Sequence, residues 1–438
     1  MIWIYRILFL PLLLLLTPYY VWRMRRRGGY AEGFWHRFGE VPPLPAKTPG
    51  IRRIWLQAVS VGEMLAIAPL LEAFHQEGRT EVYLTTTTST GYKLAKEKYA
   101  SLAAGIGYFP LDFWGFSGRA WRRVQPDLCI LMEGERWPEH VHQAHGRGVP
   151  VISVNARLSD RSYKRSMRLR ALIRPLSRGF TRVLCASKRD EQRFKSLGFV
   201  PAQLLTTGNL KLDVDIPLLA EAEKTSLRRE IGLPTPSAGA GQADGLVLLG
   251  SSTWPGEEVA LLTALKSARE RGLTVSLLLV PRHAERREEL RGLLEKSGLT
   301  YHFRSAGKAV GVVDVAVGDT TGELRKFTQL ADVVFVGKSL APHDGGQTPV
   351  EAAVLGKPVL HGPRMTNFRD IIRTLTEAGA VRRVETHSEL ITAAVELLQD
   401  VAQREKLSAA AREWTAVNRG ATERTLAVIR AQLASDRL

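Results

Sequence analysis

Residues 331–351 read ADVVFVGKSLAPHDGGQTPVE, and they set out a strand, a loop and a helix start in immediate succession. ADVVFVG (331–337) is an apolar run of strand length. Gly345 and Gly346 mark a loop, and Thr348-Pro349 opens a helix carrying Glu351. Glycines let backbone N–H groups approach an anion, and a helix start favours negative charge there. Glu351 would repel a phosphate but suits the hydroxyls of a ribose. The turn therefore reads as a nucleotide site. The plainer alternative is a glycine loop followed by a helix-start acid, both common in α/β proteins.

The same alternation extends outward from this stretch. Apolar runs at 51–59, 81–85, 127–132, 149–154, 181–186 and 203–206 are separated by helix-like segments. Residues 213–244 interrupt the pattern and end in small residues, Pro and Gly. It resumes at 245–250, 274–280, 311–317, 331–336 and 357–360. Such repetition predicts right-handed βαβ units and one parallel sheet in each half. The expected architecture is α/β, with two Rossmann-like domains facing a cleft. The first spans 51–215, a linker 216–244, and the second 245–438. Ligands of open parallel sheets sit at the carboxyl ends of strands, which directs attention to the strand tips.

The chain has 438 residues, 61 of them Lys or Arg against 44 Asp or Glu, for a net charge of +17. The excess points to an anionic partner: nucleic acid, acidic membrane or phosphorylated substrate. Residues 2–22 are nearly all apolar with one charge, Arg6, and with Trp3, Tyr5, Tyr19, Tyr20 and Trp22 near the ends. Arg23, Arg25, Arg26 and Arg27 follow. This predicts an uncleaved membrane anchor over 1–27 with the body on the cytoplasmic side, and a linker over 28–50. The alternative is a buried helix of a soluble protein. Cys129 and Cys185 lie in strand-like runs and read as reduced, buried thiols. No aromatic-interleaved basic motif suggests a nucleic-acid module.

The first-half tips carry the acid–base candidates. Glu63 follows the first strand, and two readings fit it: a helix-start acid, or a general base at the cleft floor. Thr85–Thr88, Ser89, Thr90 and Gly91 read as a helix cap. Glu133 and Glu135 share one tip with Trp137. Arg157, Arg161, Lys164, Arg165, Arg168 and Arg170 form a basic tract, either a solvated face or a contact for lipid head groups or substrate phosphates. Lys211 reaches another tip. Asp213 and Asp215 match a metal-binding string only over three residues, and His140, His142 and His145 read as an exposed helix face. No metal site is expected.

The second half adds Pro281-Arg282-His283, the Asp319–Glu323 turn, and Ser251–Thr253 with Glu257. Together, SVGE (60–63), ME-x-E-x-WP (132–138), NARLSDRS (155–162), TGNLK (207–211), PRH (281–283), GDTTGEL (318–324), FVGKSL (335–340), GG-x-x-P-x-E (345–351) and NF (367–368) resemble the bacterial Kdo transferases, the 3-deoxy-D-manno-octulosonic acid transferases of lipopolysaccharide assembly. The resemblance runs almost end to end. It implies a GT-B fold at the inner membrane and a metal-independent, inverting transfer of Kdo from CMP-Kdo to a lipid A precursor of the lipid IVA type. It also implies no cofactor, contact with anionic inner-membrane lipids, and no nucleic-acid partner.

By the same resemblance Glu63 is the general base, and Glu133 with Lys211 stabilises the transition state. Arg282, Gly322, Glu323, Pro349 and Glu351 are donor contacts, with Pro281, Thr321, Thr348 and Val350 beside them. The chain departs from the family at Trp254 and Pro255, where His-Glu is usual, and at Gln347 and Thr348, where His-Asn is usual. Gly134 and Arg136 alter the string around Glu133. Rival readings are a GT-B enzyme using another nucleotide sugar, and a basic membrane-tethered scaffold.

Overall fold

The computed structural model describes residues 2–27, 32–235 and 245–435. Residues 28–31 and 236–244 of the two expected linkers, and the side chains of Arg23 and Arg25–Arg27, lie outside the described residues. The chain divides into two compact units. One comprises the residues up to Asp213 together with those from Gly420 on, and the other Val214–Arg419.

The first unit is built on seven strands: β1 (Arg52–Gln57), β2 (Thr80–Thr86), β3 (Gly105–Tyr108), β4 (Leu128–Met132), β5 (Val151–Ala156), β6 (Arg182–Cys185) and β7 (Leu204–Thr206). They lie in the order β3-β2-β1-β4-β5-β6-β7 and all pair in parallel. Successive side chains of a strand point to opposite faces. Ile54 and Leu56 thus enter an aliphatic core with Met64, Leu70 and Phe74, while Trp55 between them enters an aromatic one with Tyr83, Phe109 and Trp121. Both faces are covered, which is why β4 reads as an unbroken apolar run. Cys129 and Cys185 are buried, free thiols.

The second unit carries β8 (Leu246–Thr253), β9 (Val275–Pro281), β10 (Tyr301–Phe303), β11 (Val315–Val317), β12 (Val333–Val336), β13 (Val359–His361) and β14 (Val381–Arg383). Their order is β10-β11-β9-β8-β12-β13-β14, again all parallel. In each sheet the order reverses beside the first strand: between β1 and β4, and between β8 and β12. Ligand sites of open α/β sheets form at such reversals.

Two expectations need correction. The helix Ala421–Ser435, expected in the second domain, belongs to the first unit. Its Ala421, Leu426 and Ile429 complete the aliphatic core over β1 and β2. Residues 221–230, expected as linker, form a helix of the second unit.

The anchor also differs from expectation. Among the described residues no single helix is long and apolar enough to cross a membrane. The N-terminal helix, Ile2–Arg27, contains Pro11 and Pro18, which lack the N–H that a helix interior requires. Segments Ile2–Phe9 and Pro11–Trp22 meet at 44°, and only as a bent pair do they have the length and composition of a span. The first segment is tied to the first unit. Tyr5 donates to Asp112 at 2.6 Å, Arg6 donates two bonds of 2.8 Å to the buried Glu139, and Phe9 stacks on Phe113.

Candidate active site

In the first unit, Ser60 ends the loop after β1 and caps the helix Val61–Ala66, its hydroxyl oxygen accepting from the Glu63 N–H. The Glu63 carboxylate folds back, accepting from the Val59 N–H at 2.8 Å and the Ser60 hydroxyl at 3.1 Å. This is close to a capping box, and it fixes the carboxylate at the switch point of the sheet. Glu63 is only 7% exposed. Burial, and then the charge of Glu133, raise its pKa above the ordinary carboxylate value; Lys211 and the two hydrogen bonds oppose this.

Glu133 directly follows β4, the strand next to β1. Its φ of 54° lies in the left-handed region, which non-glycine residues adopt at a cost of order 1–3 kcal/mol. The surrounding structure holds it there: its N–H donates to Val154 O, and its carbonyl accepts from the Ser153 hydroxyl. Its carboxylate accepts from Lys211 Nζ at 2.6 Å and faces Arg157 Nε at 3.2 Å. Lys211 arrives from beyond β7 on a short turn, Leu210–Leu212. Asn155 holds that turn by accepting from the Leu210 N–H, and Asn209 by accepting from the Lys211 N–H. The ammonium lies 3.8 Å from where a Cβ on Gly62 would stand, so it reaches the start of the Glu63 helix. Glu135 joins the group. Burial first, then the charge of Glu63, push its pKa up to about 7. Glu63, Glu133 and Lys211, distant in sequence, are therefore one cluster, with Glu135 and Arg157 added.

Neighbouring signals resolve differently. Thr88 caps the helix Ser89–Lys98, accepting from the Gly91 N–H. Asp213 accepts from the N–H groups of Gly420 and Thr422, so its carboxylate caps the last helix. His142 and His145 are exposed, but His140 is not. Its ring is buried between Trp121 Nε1, which donates to Nδ1 at 3.1 Å, and Pro110 O, which accepts from Nε2 at 3.1 Å. Burial depresses its pKa to about 3.

In the second unit, Arg282 follows β9 and its N–H donates to Thr253 O at 3.2 Å. Arg282 is exposed and its guanidinium has no partner among the described residues. Thr321 and Gly322 are exposed at the turn after β11, Gly322 with a φ of 89° and open space where a Cβ would be. Glu323 accepts from Arg304 and from the Thr320 hydroxyl. Burial works the other way, but these bonds hold its pKa below the ordinary value. Among the described residues the Glu351 carboxylate meets the half-exposed Arg325, at 3.3 Å. Pro281, Pro349 and Val350 are buried, so they shape the turns without presenting a side chain. The Thr348 hydroxyl accepts from the Val350 N–H.

The glycine pair serves the folding of the loop itself. The N–H groups of Gly345, Gly346 and Gln347 already donate to Arg364 O, Lys338 O and Gly337 O. A Cβ on Gly345 would lie 2.7 Å from Asn367 Nδ2, and one on Gly346 2.3 Å from Met365 Sδ. The glycines let the loop fold on itself. A cation at this switch point is Lys338, two residues beyond β12, whose Nζ sits 4.5 Å over the Trp254 ring. Trp254 also packs edge-on against His283 and at a tilt against His343, and His343 bonds to Pro255 O at 2.8 Å. Glu257, fully buried, accepts from the N–H groups of Trp254, Lys338 and Ser339 at 2.9–3.0 Å. It ties the tips of β8 and β12 together. The unusual Trp254-Pro255 pair is thus absorbed into a local aromatic and cationic cluster. Sequence reasoning missed Lys338, Arg304 and Arg325. The signal for Lys338 was its place one residue beyond the glycine that ends the strand run.

A family described as 3-deoxy-D-manno-octulosonic-acid transferase (kdotransferase) matches residues 32–214. The 3-deoxy-D-manno-octulosonic acid transferase of Bordetella pertussis is 36% identical over 423 residues, 93% of this chain and 94% of the relative. That of Haemophilus influenzae is 31% identical over 97% of this chain and 95% of its own. The solved UDP-GlcNAc 2-epimerase of Neisseria meningitidis, bound to UDP-GlcNAc, is 14% identical and overlays 87% of this chain and all of its own, with a TM-score of 0.53. At that identity the likeness is one of fold.

Proposed function

The chain belongs to the 3-deoxy-D-manno-octulosonic acid transferase family of glycosyltransferases, and we propose that it moves Kdo from CMP-Kdo to a sugar hydroxyl of an acylated, phosphorylated lipid A precursor. The observation that carries the mechanism is the Glu63 carboxylate, buried and clamped by Val59 and Ser60 beside the Lys211–Glu133 pair. A general base works best with a pKa near the working pH, and burial moves Glu63 in that direction. In this reading Glu63 takes the proton of the acceptor hydroxyl. The hydroxyl oxygen bonds to the anomeric carbon of Kdo as the bond from that carbon to the CMP phosphate oxygen breaks. A single displacement inverts the anomeric centre.

Lys211 offsets negative charge near the reacting atoms, and Glu133 holds it in place; preorganised charge of this kind is often the largest catalytic term. In the second unit, the unpaired Arg282 and the nearby strand-tip Lys338 suit the leaving phosphate, and Glu351 suits the ribose. Releasing Glu351 from its single exposed ion pair with Arg325 costs little. Placement at the inner membrane rests on the apolar segment Pro11–Trp22, where Leu12, Leu14, Leu15, Tyr19, Tyr20 and Trp22 are exposed.

The test is product analysis by mass spectrometry with CMP-Kdo and a tetra-acylated lipid A precursor, alongside binding of CMP and UDP. Mass gain by Kdo, with binding of CMP and not UDP, is the expected result. Binding of UDP in preference to CMP overturns the donor assignment.

A further inference from the structure

The N-terminal helix does more than project from the first unit. Its Ile2–Phe9 segment, held by the Tyr5–Asp112 and Arg6–Glu139 contacts, forms one wall of a cavity of about 690 Å³. That volume falls within the ~300–1,000 Å³ range of small-molecule sites. Leu8 and Leu12 contribute from this helix. Val141, Leu169, Ile173 and Leu176 contribute from the helices Pro138–His145 and Arg170–Ser177 and the residue before the latter. Among the described residues no acid lines the cavity, but Arg136, Arg165 and Arg178 do.

Arg165 also lines a second cavity of about 450 Å³, shared with Arg161, Lys164 and Arg168. The one acid there, Asp160, is already paired with Arg189 and Arg193. An apolar chamber thus opens beside a cluster of cations. Arg136 adds an independent sign: its Nη2 donates to the Ser166 hydroxyl, whereas its Nη1 is buried without a hydrogen-bond partner. Arg136 also immediately follows Glu135, whose carboxyl feels the charge of Glu63. The string after β4 therefore supplies Glu133 and Glu135 to the acid–base cluster and Arg136 and Pro138 to the cavity wall.

Building on the proposed function, we propose that this cavity holds an acyl chain of the acceptor, with its phosphate against the Arg161–Arg168 cations. The sugar hydroxyl is then presented toward Glu63. A chain-shaped apolar ligand with an anionic head matches both the walls and the charge at the mouth, and Arg136 Nη1 would meet a polar oxygen of the acyl linkage. The basic tract, with two readings open on sequence alone, becomes a substrate contact.

The experiment uses the full chain in mixed detergent micelles, comparing a tetra-acylated precursor with its fully deacylated head group. Leu169 is 48% exposed, so Leu169→Glu places a charge in the cavity without emptying a core position; Leu169→Met is the control. The expected result is a KM for the acylated acceptor raised about tenfold or more in Leu169→Glu and restored in Leu169→Met. The KM values for CMP-Kdo and for the deacylated head group stay unchanged. An unchanged KM for the acylated acceptor, or an equal rise for the deacylated one, overturns the proposal. So does a parallel loss of binding to phosphatidylglycerol vesicles with the acyl preference intact, which would mark a general membrane contact. Acceptor binding measured without donor separates the two readings. A wild-type protein that binds the acylated form more tightly yet transfers nothing refutes the proposed function and leaves the acyl site standing.

Discussion

Replacing Glu63 by Gln separates its two roles, helix-start residue and proton acceptor. The carboxylate accepts two bonds, from the Val59 N–H and the Ser60 hydroxyl. An amide oxygen can keep the first, and the Ser60 hydroxyl can turn to accept from the amide nitrogen. What is lost is the charge assistance of these bonds, about 1 kcal/mol, and the favourable charge at the helix start, about 0.3–1 kcal/mol. Against this, the neutral amide avoids the burial and Glu133 repulsion that raise the Glu63 pKa. The terms nearly cancel, so the melting temperature should move by no more than about 4 °C. Glu63→Ala should cost more, about 1–3 kcal/mol, because it leaves the Val59 N–H without its acceptor. Catalysis responds differently: loss of the proton acceptor should lower kcat by about 10²–10⁴-fold. In the wild type the rate should fall as pH drops through a value above the ordinary 4.5, and this limb should be absent from the residual Glu63→Gln activity. The assay is initial rate against pH, with CMP binding and thermal melting on the same preparations. Glu63→Gln activity within a few-fold of wild type, with the acid limb intact, would refute the assignment and turn attention to Glu133 or Glu135.

Lys211→Met should leave donor KM and folding nearly unchanged and lower kcat by about 10²-fold; a kcat within threefold of wild type removes Lys211 from the transition-state role. Glu135 has a folded pKa of about 7 against an ordinary 4.5, so the fold favours its protonated form and stability should decline as pH rises between those values. Glu135→Gln should therefore be more stable than wild type at pH 8, by at most on the order of 3 kcal/mol, with the gap closing below about pH 5; denaturant melts at both pH values check this. Excess EDTA should leave the initial rate unchanged, and inhibition reversed by magnesium or manganese would reject a metal-independent reaction.

The central strands of both sheets were legible because they are buried on both faces and read as continuous apolar runs. The strands that went unread, β3 (GIGY), β10 (YHF) and β14 (VRR), are all sheet edges, three or four residues long, where burial imposes little pattern. The Glu63, Glu133 and Lys211 cluster was legible only as three strand tips and a family resemblance. What unites it is the β1/β4 neighbour relation, which is a matter of topology. His140 read as exposed because its helix carries His142 and His145 on the solvent side, two and five residues along from the position that packs on Trp121. The glycine loop left two readings open for a local reason: glycine is required equally by an approaching anion and by an approaching Met365 or Asn367 side chain. Arg6 read as the one charge of an apolar span, and its buried partner Glu139 lies 133 residues away.

The helix Ala421–Ser435 gives the chain an order of assembly. The aliphatic face of the first sheet needs Ala421, Leu426 and Ile429, yet roughly 200 residues of the second unit are translated between that sheet and its cover. At a ribosomal rate of about 5–20 residues per second, the sheet waits on the order of 10–40 s with part of its apolar face open. The second unit, contiguous in sequence, is under no such delay. A chain ending before residue 420 and released from the ribosome should then present a finished second unit and a first unit still able to recruit a chaperone.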